Sequence, residues 1–442
     1  MGCYVDVRFL GLSCALFALG CGGDPSGGRQ ELPSAGAGGT SMVSGGSGAP
    51  ALDGGGLALD GAAGSDGGRM CGAAGCGQSI TGHEGVVDML FVVDTSSSMM
   101  QEQLSLAQEF PRMMRKLTTG DHDEDGEPEY EPIRDLHLGV VSTNLGTGAA
   151  QIARCEGSGD SGILQHRPTV VGCEREFPTF LEYKAASDDP AQVAADFACL
   201  AQLGIQGCGF EQPLESALQA LWPSADPTIR FLSATNEASY GRGDRENAGF
   251  LRNEPKAPAT LAIVVVTDED DCSSFDPWLW EIDPSVPEDD PRSQRQLNLR
   301  CFHFPESMYE LERYAIGYRA LHGWTGARVL FAAIVGVPVD LVDQIALSEV
   351  DWNDDAQREA HYDKILSDAR MQEVPREMTP GSGIADELTP SCETEHGLAW
   401  PPRRIVSLAR AFGPNSLVQS ICGDNLGPPI DIIIRRVLEG PE

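Results

Sequence analysis

The sequence predicts an α/β fold: a Rossmann-like, mostly parallel sheet with helices on both faces and long insertions pinned by disulfides. Three observations lead there. Near-continuous apolar runs of six to eight residues alternate with segments that are apolar at helical spacing. Two of those runs end abruptly in acidic residues. Most of the cysteines fall in long polar stretches between the runs.

Residues 86–93 are almost wholly apolar and end at Asp94, the pattern of a strand buried on both faces. A helix is expected over 101–117, with Leu104, Ala107, Met114 and Leu117 on its inner face. A second strand follows at 136–141, and a helix at 211–222 presents Leu214, Ala217, Leu218 and Leu221. The third buried strand, 261–266, runs into Thr267-Asp268. A helix over 309–321, a strand over 329–335 and a helix over 403–412 continue the alternation. A last strand at 416–421 precedes a helix at 428–438. Stretches around 145–200, 270–307 and 350–400 are too long for ordinary connections and read as insertions within one domain, 85–442.

The amino terminus reads as an export signal over 1–20, with Arg8 before a short apolar run that ends in small residues. Ala18-Leu19-Gly20-Cys21 resembles a bacterial lipobox, which implies lipidation at Cys21 and attachment to an outer membrane or cell surface; an ordinary secretory signal is the alternative. Residues 21–84 form a Gly/Ala/Ser-rich tether: 17 glycines lie between 22 and 69, and no aromatic residue occurs from Cys21 to Phe91. Such a segment buries too little apolar surface to offset chain entropy. As a disordered chain it spans about 5–6 Å times the square root of its length.

Ten cysteines remain beyond the first 21 residues: Cys71, Cys76, Cys155, Cys173, Cys199, Cys208, Cys272, Cys301, Cys392 and Cys422. An even set behind an export signal suggests up to five disulfides, sequential neighbours being the simplest pairing. No Cys-x-x-Cys pair supports a zinc site instead. Asp and Glu number 66 against 31 Lys and Arg, a formal net charge of −35. That surface repels nucleic acid and anionic lipid, favours cations or basic partners, and leaves the lipid anchor as the expected membrane attachment.

In open α/β sheets, ligands bind at the carboxyl edge of the strands. Asp94-Thr95-Ser96-Ser97-Ser98 and Asp268-Glu269-Asp270-Asp271 both follow buried strands. A carboxylate and two hydroxyls on alternate residues of one turn are hard oxygen donors suited to a magnesium ion. This arrangement resembles the von Willebrand factor A domain, over residues 86–438. The resemblance implies a metal-ion-dependent adhesion site formed by Asp94, Ser96, Ser98 and Asp268, holding Mg²⁺, or Mn²⁺ or Ca²⁺ in its place. It also implies a protein partner whose carboxylate completes the metal shell. The family's middle-loop threonine has no counterpart in 207–213; Glu211 in that loop, or Thr143 after the second strand, is the donor available. The competing reading has Asp94 and its serines capping the next helix.

Asp121, Asp123 and Asp125, then Gly126 and Glu129, imitate the first, third, fifth, sixth and ninth places of a calcium loop. Pro132 occupies the twelfth, where a bidentate Glu belongs. A solvated acidic turn is the alternative, as it is for Glu288-Asp289-Asp290 and Asp354-Asp355. Trp278 and Trp280 are expected to pack an insertion onto the core, an exposed recognition patch being the alternative. No nucleophile elbow, zinc helix or phosphate loop is present, so a binding module is expected rather than an enzyme. A metal-dependent hydrolase and a scaffold with a vestigial metal site are the alternatives.

Overall fold

A computed structural model describes residues 85–439, apart from 151, 169, 174, 232–238, 253–259, 326 and 395–396. The chain divides into two units, Met1–Gly75 and Cys76–Glu442, and all described residues belong to the second. The export signal, Cys21, the tether and the expected Cys71–Cys76 loop lie outside the described residues. Among the described residues no helix is long and apolar enough to cross a membrane.

Six strands form the central sheet: β1 (Val86–Val93), β2 (Asp135–Ser142), β3 (Leu181–Lys184), β4 (Thr260–Val266), β5 (Arg328–Val335) and β6 (Ser416–Ser420). Their order is β6-β5-β4-β1-β2-β3, every pairing parallel except β2 with β3. Among the described residues seven helices of nine or more residues accompany them: α1 (Met100–Thr119), α2 (Pro190–Leu200), α3 (Pro213–Leu221), α4 (Glu312–Thr325), α5 (Asp355–Ser367), α6 (Arg403–Phe412) and α7 (Gly427–Leu438).

The apolar runs are continuous because both faces of the sheet are covered. Leu90, Val92, Ile263 and Phe331 face α3, α4 and α6 through Leu218, Tyr318 and Leu408. Met89, Phe91, Val264 and Ala332 face α1, α2 and α7 through Phe110, Phe197 and Ile433. Phe91 sits edge-on to both Phe110 (5.5 Å) and Phe197 (5.2 Å), so Phe91→Ala should cost about 3–5 kcal/mol. Leu104 does not join this layer: it is 52% exposed, and Leu106, Phe110 and Met113 take the inner face of α1 with Ala107, Met114 and Leu117. The helical stripe is rotated relative to the expected one.

The insertions carry elements of their own. β3 alternates buried Leu181 and Tyr183 with exposed Glu182 and Lys184, charges that protect the sheet edge. Asp354 caps α5 by accepting from the backbone of Ala356 and Gln357. Trp280 is buried against Phe210 with ring centroids 4.6 Å apart, whereas Trp278 is 43% exposed. The disulfides among the described residues are Cys155–Cys208, Cys173–Cys199, Cys272–Cys301 and Cys392–Cys422. Sequential pairing therefore fails for the first four of these cysteines: one bridge nests inside the other, because β3 and α2 fold back between them.

Candidate metal centre at the strand ends

Three central strands stop in register, with Val93 opposite both Ser142 and Val266. Asp94, Thr143 and Asp268 therefore leave the sheet on one rim. The backbone ties them there: Asp94 N–H donates to Val266 O (3.0 Å), Thr143 N–H to Val93 O (3.2 Å) and Thr267 N–H to Ile334 O (3.3 Å). The Glu211 loop is fastened to the same rim. Gln212 N–H donates to Thr143 O (3.1 Å), Cys272 N–H to Glu211 O (2.8 Å) and Gly207 N–H to Thr95 O (2.9 Å). Gly207 must be glycine for this approach, since a Cβ there would collide with the Thr95 side chain.

Asp94, Ser96, Thr143, Glu211 and Asp268 are all buried, while Ser98 is exposed on the open side. Asp94 Oδ1 accepts from Ser96 N–H (2.6 Å), and its Oδ2 from the Thr267 hydroxyl (2.6 Å). The hydroxyls of Ser96 and Ser98 stand 3.0 Å apart. Thr143 donates its hydroxyl to Glu211 Oε2. Glu211 Oε1 and both carboxylate oxygens of Asp268 are buried without a hydrogen-bond partner. Acceptors stripped of water and of donors are costly, more so when charged.

Electrostatics carry the same message. Burial, then the Asp94 and Glu269 carboxylates, raises Asp268 and Glu211 well above the usual carboxylate range. Burial raises Asp94 too, against the pull of its bonds from Thr267 and Ser96. Glu269 is pushed up to about 8 by burial, then by Asp94 and Glu387. Glu102, buried in the first turn of α1, rises through burial and through Asp94. Desolvation and mutual repulsion are what a bound cation relieves.

The capping alternative does not hold. Helix α1 begins at Met100 behind Met99 with no side-chain cap, and the Asp94 carboxylate bonds elsewhere. Of the second acidic run, Asp268 and Glu269 belong to this cluster. Asp270 accepts from the N–H groups of Arg404 (2.9 Å) and Ile405 (3.3 Å) at the start of α6, and Asp271 from Leu214 N–H (3.1 Å) at the start of α3. Sequence reasoning missed Glu102 and did not single out Glu269, although its place directly after Asp268 was a usable signal.

The second candidate closes on itself. Carboxylate oxygens of Asp121, Asp123, Asp125 and Glu129 lie within 4.8 Å of one another, and these four could hold a metal ion. Among the described residues no other set of three or more Asp, Glu, His or Cys ligand atoms comes that close. The strand-end carboxylates thus stand farther apart, leaving Ser96 and Ser98 to contribute. In the loop Asp121 Oδ2 accepts from Gly126 N–H (3.0 Å), Asp123 Oδ1 from Asp125 N–H (3.1 Å) and Glu129 Oε2 from His122 N–H (2.6 Å). Gly126 turns the chain with φ 98°.

A cleft of about 360 Å³ opens beside the strand-end cluster, with Ser96, Ser98, Glu211 and Glu269 on its lining. No protein-family model and no curated protein sequence matches this chain.

Proposed function

We propose that this protein is a metal-dependent binding module of the von Willebrand factor A type, anchored to the cell envelope through Cys21. The observation that carries the reading is the set of buried, donorless oxygens on Asp268 and Glu211 beside Asp94. Asp94, Ser96, Ser98 and Asp268, with Glu211 and Thr143 behind them, would hold Mg²⁺, or Mn²⁺ or Ca²⁺. Such an ion supplies the missing positive charge and an open position for one oxygen of a partner, for which the resemblance implies a carboxylate. The rim carrying both Asp94 and Asp268 supports the resemblance. The Asp121 loop would take Ca²⁺ separately.

The test is Mg²⁺ titration by calorimetry on wild type and Asp94→Ala, with circular dichroism as the fold control. The reading expects Mg²⁺ uptake by wild type and none at this site in a folded variant. Unfolding of the variant in chelator, where wild type stays folded, would instead assign Asp94 a structural role.

A further inference from the structure

We propose that the insertions build a specificity pocket in the cleft beside the strand-end cluster, and that it receives a large apolar side chain of a peptide segment, next to the acidic residue that meets the ion. This rests on the metal reading above and goes beyond it by naming what accompanies the carboxylate.

Three insertions of the sheet converge on the cleft. Arg154 comes from the stretch around 145–200, Phe302 from 270–307, and Leu388 and Trp400 from 350–400, yet all line the same space as Ser96 and Ser98. Disulfides hold these walls. Cys272–Cys301 lies on the lining itself, and Cys155–Cys208 joins the turn carrying Arg154 to the loop carrying Phe210 and Glu211. A cavity fixed before binding costs little ordering when it is filled.

The lining is of two kinds. Phe210, Phe302, Met308, Leu388 and Trp400 are apolar. Phe210 is braced by buried Trp280, with ring centroids 4.6 Å apart, and Trp400 N–H donates to Asp268 O (2.8 Å), which fixes that aromatic next to the cluster. The outer acids are already matched: Glu387 lies 2.9 Å from Arg376, Glu373 3.7 Å from Arg403 and Asp271 3.2 Å from Arg404, while Asp270 accepts from the start of α6. Arg154 stands exposed on the same lining, a cation suited to an acidic segment. A volume of about 360 Å³ falls at the low end of the roughly 300–1,000 Å³ typical of small-ligand sites, room for a large side chain and not for a folded element.

The experiment uses the full chain. Mg²⁺ uptake is measured first, and the loaded protein is then titrated with end-blocked peptides Gly-Asp-Gly-Gly, Gly-Asp-Phe-Gly, Gly-Asp-Leu-Gly and Gly-Asn-Phe-Gly. The Phe or the Leu peptide should bind about tenfold to a hundredfold more tightly than its Gly counterpart, the scale of burying one large apolar side chain. Replacing Asp by Asn in the Phe peptide, or adding EDTA, should remove most of the binding. Phe302→Ala and Trp400→Ala should each shrink the apolar preference by about fivefold while retaining Mg²⁺ uptake. Mg²⁺ uptake with no peptide bound, with equal affinity for the Gly, Phe and Leu peptides, or with a preference untouched by both variants, overturns the proposal and leaves the metal reading standing. Absence of Mg²⁺ uptake overturns both.

Discussion

The strand-end cluster and the Asp121 loop are both acid-rich, yet they are built in opposite ways. The loop is one continuous segment whose carboxylates are mostly exposed and already accept N–H groups from their own turn. The strand-end cluster draws on segments near residues 94, 102, 143, 211 and 268, buries most of its carboxylates, and leaves four of their oxygens, on Asp268, Glu211 and Glu102, without donors. Burial makes the difference. In the loop a cation adds to a turn whose carboxylates, apart from Asp121 Oδ1, are exposed or already accept hydrogen bonds, whereas at the strand ends it relieves a larger standing electrostatic cost.

If that contrast is right, the two sites should respond differently to the same perturbations. The largest difference should come from Cys155–Cys208, which closes a separation of 53 residues just before Glu211. Replacing both cysteines with serine should cost about 2–4 kcal/mol in chemical denaturation. It should also weaken Mg²⁺ uptake at the strand ends, while Ca²⁺ uptake by the loop stays unchanged in the same titration. Next in size, Mg²⁺ at about a hundred times its Kd should stabilise the protein by about 2.7 kcal/mol. Asp268→Ala should remove that increment, measured by thermal melts with and without EDTA.

A pH series sharpens the contrast further. Glu269 has a folded-state value of about 8 against about 4.3 in a free chain. A raised folded value favours the native state while the group stays protonated. Metal-free stability should therefore decline as pH rises from about 4.3 to 8. Mg²⁺ affinity should climb over the same window, because binding displaces the protons. Glu269→Gln should flatten the decline; an unchanged profile in that variant would remove Glu269 from the cluster. The smallest effect belongs to the loop. Asp123→Asn should alter stability in EDTA by less than about 0.5 kcal/mol, and its signature should be loss of Ca²⁺-dependent protection from proteolysis near residues 120–130.

What the sequence made legible follows the same division. Strands of the sheet could be read because a strand buried on both faces is apolar throughout, and β1 ends at Val93 where the apolar run does. The Asp121 loop could be read because its ligands are local. Leu104 was misjudged because a 20-residue helix with an internal proline, Pro111, offers more than one plausible stripe. β3, α2 and α5 were hidden in insertions whose short apolar signals compete with Pro, Gly and Asp. Glu102 joins the cluster only through tertiary packing, and no spacing rule links it to Asp268. The nesting of Cys173–Cys199 within Cys155–Cys208 depends on the same fold-back.

Anomalous diffraction from crystals soaked in Mn²⁺ tests the central claim most directly. A peak is expected within coordinating distance of Asp94 and Asp268, bounded by the Ser96 and Ser98 hydroxyls and facing Glu211. A map with density only at Asp121, Asp123, Asp125 and Glu129, and none at the strand ends, would contradict it.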